Sequence, residues 1–520
     1  LSRLPFLPAL PRRAALAGGV ALALLATLPA AAVRADDTPV RGGVLKYATL
    51  GLDTADPHRH TGSIAVQQAY VEALTGIGLD GGVEPFLAES FEVSPDGRTY
   101  RFRIREGVRF HNGRILTAAD VLANFERVRR TVKGGWLASA MKLVDSMEAP
   151  DDRTFVVRMS EPYAPFLSLI SELWILSPAS PGWDETITRP IGTGPFTFGT
   201  WVPNVKLTAP AFRDYWKTGR PYLDAVEFDL RDSDDRSLAL RSGDLHIASV
   251  GRDTLPELRA DKAITVKSLK DSTWYFVSFN NRAPRPPLDN VRVREAIAHA
   301  LDKRAFMGFI AGEDGVVTNQ MVAPGNVYFD AAQHAADRHA APDPDKARAI
   351  LAAEGVDPAK HTLEVVSWQD AYSQVAVQMV KQLGFKVNHV ALDDVGAQKR
   401  LGQYDWDLAP MASGPRADVF LRYVRLMSDG PNPVLWGGVQ DPAFDAAVRA
   451  AVAEPDQARR KAHYSEAWQR VIDGYYTVVL GHATNTIANR AEVRGWEPGF
   501  TWASHWATGG VGEVWLAPAR

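Results

Sequence analysis

Between residues 363 and 392 the chain changes its residue period twice. Residues 363–368 are rich in β-branched and aromatic side chains, residues 372–383 place apolar side chains at helical spacing and stop at Gly384, and residues 386–392 are strand-like again. Strand, helix and strand of these lengths predict a βαβ unit with parallel strands. A further strand over 405–411, helices from Ala443 and Asp456, and a strand over 476–481 extend this into an α/β lobe with a largely parallel sheet. In such sheets ligands bind beyond the carboxyl ends of the strands. Trp368 and Gln369, followed by Asp370, and the run Ser413, Gly414, Pro415 and Arg416 are therefore the first candidate contacts.

The first half has a different grain. Residues 44–49 read as a strand, 51–63 as a polar loop and 64–74 as a helix. Residues 91–93 and 99–105 flank the turn Ser94-Pro95-Asp96-Gly97, and Tyr100, Phe102 and Ile104 alternate with Arg101, Arg103 and Arg105, which predicts a hairpin with one wet face. Thr117, three residues before Asp120, is a capping-box variant that opens a helix over 118–129. The roughly 485 residues beyond position 35 exceed what one core usually supports, so two or three packed units are expected. The weakest joints are at 284–289 and 340–345.

Residues 1–35 read as a secretory signal that is removed: Arg3, Arg12 and Arg13 precede the uncharged apolar run 14–28, and a small-residue stretch ends at Val33, Arg34 and Ala35. The pair Arg12-Arg13 leaves twin-arginine export open beside the general route. A transmembrane helix needs roughly 20 apolar residues, more than this run supplies. The chain has no cysteine, so stability must come from buried core, and the thiol needed for a lipid anchor is missing. That points to a free protein in a periplasm. With 58 Lys plus Arg against 61 Asp plus Glu, there is no large field for nucleic acid or anionic lipid.

Several phrases, taken together, resemble the periplasmic solute-binding proteins of peptide- and nickel-type ABC importers. The most specific runs from Leu87-Ala88-Glu89-Ser90 through Ser94-Pro95-Asp96-Gly97 to Gly107-Val108-Arg109-Phe110-His111-Asn112-Gly113 and Thr117-Ala118-Ala119-Asp120-Val121. Gly192-Thr193-Gly194-Pro195-Phe196, Asp214-Tyr215-Trp216, Gly243-Asp244, Phe279-Asn280 and Val291-Arg292-Val293-Arg294-Glu295-Ala296-Ile297 follow in the family's order. The resemblance implies an α/β, two-lobed periplasmic binding protein fold of type II, in the large cluster with an extra domain, with mixed sheets and a hinge of two strands. It implies a first lobe built from 36–66, 190–278 and 488–520, an extra domain over 67–189 and a second lobe over 279–487, with the chain crossing near Phe279-Asn280 and again over 485–490. It also implies a monomer that closes on a short peptide or peptide-sized solute, meets the permease subunits of an importer, and needs no cofactor. A ligand-loaded sensor docking to a chemoreceptor and a nickel-chelate carrier are the alternatives within the binding class.

His111, Asn112 and Asp120 need no ligand, because a turn, a strand and a helix cap account for them. Gly192-Thr193-Gly194-Pro195 lacks the GK[ST] ending of a phosphate loop and reads as a tight turn. His58, Arg59 and His60 beside Asp53 and Asp56 invite a metal reading, but with neither Cys ligands nor an HExxH pair no protein-built metal centre is expected. No GxSxG elbow and no cysteine nucleophile are present, so a secreted hydrolase has little support and no catalytic residue is assigned. Among the 14 tryptophans, Trp274, Trp368 and Trp436 are the candidates for the cleft, and the resemblance adds Thr61 and Ser63 from the polar loop. In peptide-binding relatives the segment corresponding to 411–420 carries an aspartate for the peptide's amino group. Here Pro415 or Arg416 stands in that place, with Asp418 as a substitute if the register slips. A guanidinium there favours a carboxylate through a bidentate pair, so an acidic, blocked or non-peptide solute is expected, unless Arg416 is neutralised by Asp405, Asp407 or Asp418.

Overall fold

A computed structural model describes residues 38–49, 51–59, 64–133, 135–231, 236–269, 273–416, 418–430, 437–499 and 510–518. The signal reading of residues 1–35 lies outside them. Two large sheets organise the molecule. The first has seven strands in the order Trp201–Val202, Lys206–Pro210, Ala225–Asp229, Val44–Ala48, Ile247–Ser249, Thr486–Arg490 and Ile264–Ser268. Its three central strands Ala225–Asp229, Val44–Ala48 and Ile247–Ser249 are parallel, and Thr486–Arg490 runs antiparallel to both its neighbours.

The second has six strands in the order Gly315–Val316, Thr477–Ala483, Thr273–Phe279, Leu408–Ser413, Thr362–Trp368 and Lys386–Leu392. The βαβ unit is present as read: Thr362–Trp368 and Lys386–Leu392 pair in parallel from Thr362↔Lys386 to Trp368↔Leu392, with the helix Ala371–Lys381 between them and Gly384 at φ +97° turning the chain. Alternate residues of one strand enter opposite cores. Leu363 and Val365 face the helices Val291–Ala300, Lys303–Ala311 and Ala371–Lys381, whereas Val366 faces Pro442–Ala453 and Gln457–Gly474. Burial on both faces is what a strand rich in β-branched residues requires of a parallel sheet. The next strand begins at Leu408, three residues later than its sequence reading, because Asp407 is spent on a crossing contact: its N–H donates to the Glu364 carbonyl, and its carboxylate accepts from the Glu364 N–H and from Arg285.

The hairpin in the first half also forms. Ala88–Val93 and Thr99–Ile104 pair antiparallel in a four-stranded sheet completed by Thr154–Met159 and Val144–Asp151. Tyr100, Phe102 and Ile104 are buried while Arg101 and Arg103 are exposed. Helix Ala118–Thr131 carries the expected capping box, Thr117 accepting from Asp120 N–H and the Asp120 carboxylate accepting from Thr117 N–H.

One helix reading fails. Only Ile64–Gln67 is helical. The chain then supplies the short strands Glu72–Ala73, paired with Trp174–Ile175, and Thr75–Ile77. Residues 66–77 are buried on every side, so apolar spacing says nothing about a preferred face, and the pairing available from Trp174–Ile175 decides the conformation. Glu72 anchors the turn: its carboxyl accepts from Tyr215 Oη at 2.6 Å, Thr193 Oγ1 at 2.8 Å and Trp216 Nε1 at 3.0 Å.

Gly192 and Gly194 are explained by the same segment. A Cβ on Gly192 would stand 1.9 Å from the Tyr70 carbonyl oxygen, and one on Gly194 would stand 2.7 Å from the Tyr70 carbonyl carbon. Close backbone approach, not anion binding, sets these residues. Gly192→Ala is expected to destabilise the protein by about 1–3 kcal/mol in urea unfolding, the usual cost of overpacking a filled site.

Among the described residues no helix is long and apolar enough to cross a membrane.

Candidate functional site: the converging sheet edges

Among the described strands the chain passes between the two large sheets twice, from Ile264–Ser268 to Thr273–Phe279 and from Thr477–Ala483 back to Thr486–Arg490. The crossings run side by side: Ser268 pairs with Thr486, Leu269 N–H donates to the Asn485 carbonyl at 3.0 Å, and Thr273 pairs with Ala483. The sequence reading put the first crossing near Phe279-Asn280; the strand Thr273–Phe279 already pairs within the six-stranded sheet.

Register carries the carboxyl ends of the parallel strands to these crossings from both sides. In the seven-stranded sheet Ser249, at the end of its strand, pairs with Ile487, beside the crossing. In the six-stranded sheet Ser413 pairs with Trp274, next to Thr273. A cavity of about 450 Å³ lies between the edges, lined by Tyr47, Thr49 and Ser249 from one sheet and Thr273 and Ala483 from the other. Its size falls in the range of small-molecule sites, and its position is where open α/β sheets bind ligands. Two polar ties span the crossings. Arg259 Nη2 meets Asp314 at 2.5 Å, and Arg252 donates to the Phe309 carbonyl.

The residues singled out from sequence divide into three groups. Trp368, half-buried, and Gln369, exposed, close the strand Thr362–Trp368, with Gln369 N–H donating to the Leu392 carbonyl. Buried Ser413 ends its strand, Gly414 follows, and the Arg416 guanidinium folds back so that Nη1 donates to the Pro415 carbonyl at 2.8 Å and lies 3.9 Å from where a Gly414 Cβ would be. Trp274 is fully buried, its ring stacked on Phe276 at 4.0 Å; it is part of the core under the edge. Thr61, Ser63 and Trp436 lie outside the described residues. None of the sequence-selected residues that are described lines the 450 Å³ cavity itself. They share with it the carboxyl edge of the six-stranded sheet.

Asp418 does not wait for a ligand's amino group. It is buried, and its Oδ1 accepts from Arg460 Nη2 at 2.7 Å and from Phe420 N–H at 2.8 Å. Arg460, itself buried, also donates to the Tyr328 and Tyr464 hydroxyl oxygens. Asp407 is taken by Arg285 and Asp405 by Arg400. Each carboxylate weighed as a neutraliser of Arg416 thus has another basic partner.

One acid on which Arg416 acts was missed from sequence: Glu172, from the turn Ile170–Glu172 in the first half. Burial pushes its carboxyl up to about 7, with Arg416 opposing the shift. On the other side Arg425, packed over the Trp136 ring at 5.7 Å, is held down to about 10 by burial and then by Arg416 and Arg422. A sequence signal for Glu172 hardly existed, because one acidic residue in an apolar run has no spacing that announces a partner some 240 positions away. The segment is held close by contacts between the halves: Ala164 N–H donates to the Val452 carbonyl at 2.7 Å, Val327 N–H donates to the Asp80 carbonyl at 2.9 Å, and Tyr163 meets Phe420 edge-on at 5.8 Å.

His58 and Asp56 belong to a structural cluster. His58 Nε2 lies 2.7 Å from the Trp174 carbonyl, which makes it the donor, and Nδ1 accepts from Arg127 at 2.8 Å. Both ring nitrogens are thereby used. Among the described residues no group of three or more His, Asp or Glu side chains is placed to hold a metal ion. His111 is half-buried, desolvation lowers its ring to about 4, and its Nε2 lies 3.0 Å from the Gly194 carbonyl.

The family described as bacterial extracellular solute-binding proteins, family 5 Middle, matches residues 82–432. The glutathione-binding protein GsiB of Pectobacterium atrosepticum is 25% identical over 458 residues, covering 80% of this chain and 84% of the relative. The di/tripeptide-binding protein 2 of Pseudomonas aeruginosa is 28% identical over 455 residues, with 80% and 84% covered. Among solved structures, HbpA2 from Haemophilus parasuis superposes with a TM-score of 0.79 at 21% identity, covering 91% of this chain and all of that one. The chain belongs to the bacterial extracellular solute-binding proteins of family 5, and its part is to bind a solute.

Proposed function

We propose that the protein captures a short peptide, or a peptide-sized solute bearing a carboxylate, between two lobes in the periplasm and hands it unchanged to the permease subunits of an ABC importer. The observation that carries this reading is the convergence of both carboxyl edges on the paired crossings, with a cavity between them. Relatives named for glutathione and for di- and tripeptides support a peptide-sized solute. In this reading residues 1–35 are a removed signal, residues 36–66, 190–272 and 488–520 form the first lobe, residues 67–189 the extra domain and residues 273–487 the second lobe. The strand Thr273–Phe279 moves with the second lobe, because it pairs there. The two crossings act as the hinge of a monomer. A ligand touching both lobes favours the closed arrangement by its differential contacts alone.

Arg416, Ser413, Gly414, Trp368 and Gln369 are the contacts assigned to the second lobe. Trp274 supports them from beneath. Arg416→Ala is expected to weaken binding of a carboxylate-bearing tripeptide by about tenfold to a hundredfold, the loss of one charge-assisted pair, measured by titration calorimetry. Solution scattering with and without glutathione or trialanine tests the whole reading: compaction on binding is expected. Unchanged scattering together with chemical consumption of the added compound would overturn it.

A further inference from the structure

We propose that the segment 418–425 is a clasp by which the second lobe grips the segment 67–189, and that Leu421 within it is a positioning residue for solute capture, because its insertion favours the closed arrangement before any solute is engaged. This rests on the solute-capture reading above and adds what holds the closed arrangement together besides the two crossings.

The core built from Leu74 to Ile175 is nearly complete within its own stretch of chain. Among its described buried members Leu421 alone comes from outside residues 74–175. Leu421 is 2% exposed and belongs to neither apolar cluster of the six-stranded sheet, so its burial rewards contact between the two segments and not the folding of its own lobe. Its neighbours follow it across. Phe420 meets Tyr163 edge-on at 5.8 Å, and Arg425 lies over the Trp136 ring at 5.7 Å. Two backbone bonds join the same sides: Ala164 N–H donates to the Val452 carbonyl at 2.7 Å, and Val327 N–H donates to the Asp80 carbonyl at 2.9 Å. The turn of the first hairpin comes as near, since a Cβ on Gly97 would stand 3.3 Å from the Ala453 carbonyl oxygen.

This seam is built to part. A cavity of about 240 Å³ lies in it, lined by Tyr100, Leu167 and Ser168 from one side and by Tyr328, Gln457 and Arg460 from the other. Interiors that stay together are filled to the density of an organic crystal, and the seam is not. The two crossings by themselves leave the lobes free to rotate, so opening has to withdraw Leu421 from the first-half core and return it to water. The clasp thereby shifts the balance toward closure, and a solute that needs the closed arrangement binds more tightly in proportion to the fraction already closed. The helix Phe420–Tyr423 follows the candidate contacts Ser413, Gly414 and Arg416 closely in the chain, so gripping the helix also fixes where those residues stand.

The experiment pairs titration calorimetry with solution scattering of the full chain, using trialanine and glutathione, for wild type, Leu421→Ala and Leu421→Met. Leu421→Ala is expected to bind whichever of the two the wild type binds about tenfold more weakly, to show a larger radius of gyration than wild type without solute, and to reach the wild-type radius at saturation. Leu421→Met keeps most of the apolar volume and is expected to restore both affinity and radius. A side chain that only stabilised its own lobe would lower the melting temperature and leave the solute-free radius of the folded protein unchanged. Equal affinity and equal solute-free radius for Leu421→Ala and wild type would overturn the clasp while solute capture stands. If neither compound binds wild type or compacts the alanine variant, the capture reading itself fails and this inference goes with it. Should Leu421→Ala not fold, the double variant Ala164→Cys, Val452→Cys reads the seam, its two thiols being the only ones in a chain without cysteine. The clasp predicts that they oxidise to a disulfide in solute-free protein, and crosslinking that waits for added trialanine or glutathione would overturn it.

Discussion

Arg127→Met is expected to lower the stability of the protein by about 3–5 kcal/mol, the cost of leaving one buried charge without its partner. Arg127 and Asp56 are both at 0% side-chain exposure and meet at 2.6 Å and 3.1 Å. The guanidinium also donates to the Trp183 carbonyl at 2.6 Å, to the Glu185 carbonyl at 3.2 Å and to His58 Nδ1. One side chain on the helix Ala118–Thr131 thus holds the loop that leads from the first strand toward the crossings. Met fills much of the volume but donates to none of these acceptors, and Asp56 keeps backbone N–H partners such as that of Ile187 and a looser ion pair with the partly exposed Arg59 at 3.8 Å. The double variant Asp56→Asn, Arg127→Met should recover part of the loss, because the buried charge goes with its partner.

The same pair predicts an acid limb. Burial pushes the Asp56 carboxyl up, but Arg127 and the Ile187 N–H more than offset it and hold it below its usual value. A depressed carboxyl contributes stability above its unfolded pKa of about 4 and loses it as pH falls through the lower folded value. Urea midpoints measured from pH 6 to pH 2 should fall more steeply for wild type than for the double variant. Equal slopes would remove Asp56 from the account.

Arg460→Met is the second large effect, again about 3–5 kcal/mol by loss of a buried partner. Arg460 and Asp418 are 6% and 1% exposed at their side chains, and Arg460 also lies over the Tyr328 and Tyr464 rings at 5.3 and 5.4 Å. Asp418 stands two residues beyond Arg416, so the pair pins the loop that presents the guanidinium. Solute affinity should therefore drop together with stability in Arg460→Met. In Arg416→Ala, where the loop's anchor is intact, affinity should drop alone. A double-mutant cycle on Asp418 and Arg460 with a coupling energy near zero would show that the loop is held by other contacts.

The two results also separate kinds of legibility. The hairpin at 88–104, the capping box at Thr117 and Asp120 and the βαβ unit at 362–392 could be read from the chain because each is local: period, turn residues and caps lie within a few positions of one another. Gly192 could be read only as a turn glycine, because the backbone that excludes its Cβ is that of Tyr70, far away in sequence. The stretch 64–77 could not be read, because a segment buried on all sides has no wet face to give its period a meaning.

Arg416 could be placed at a strand's carboxyl end by position alone, but its surroundings could not. Asp418, the nearest acid in sequence, is turned inward to Arg460, and Glu172, an acid on which Arg416 acts, comes from the other half of the chain. By itself the order of residues determined the strands, their parallel pairing in the second half and the end of the sheet at which a solute must bind, because those follow from side-chain period and chirality. Which charges meet at that end was decided only when the two crossings brought distant segments together. A charge pair is made by distance in space, and neither spacing nor composition records that distance.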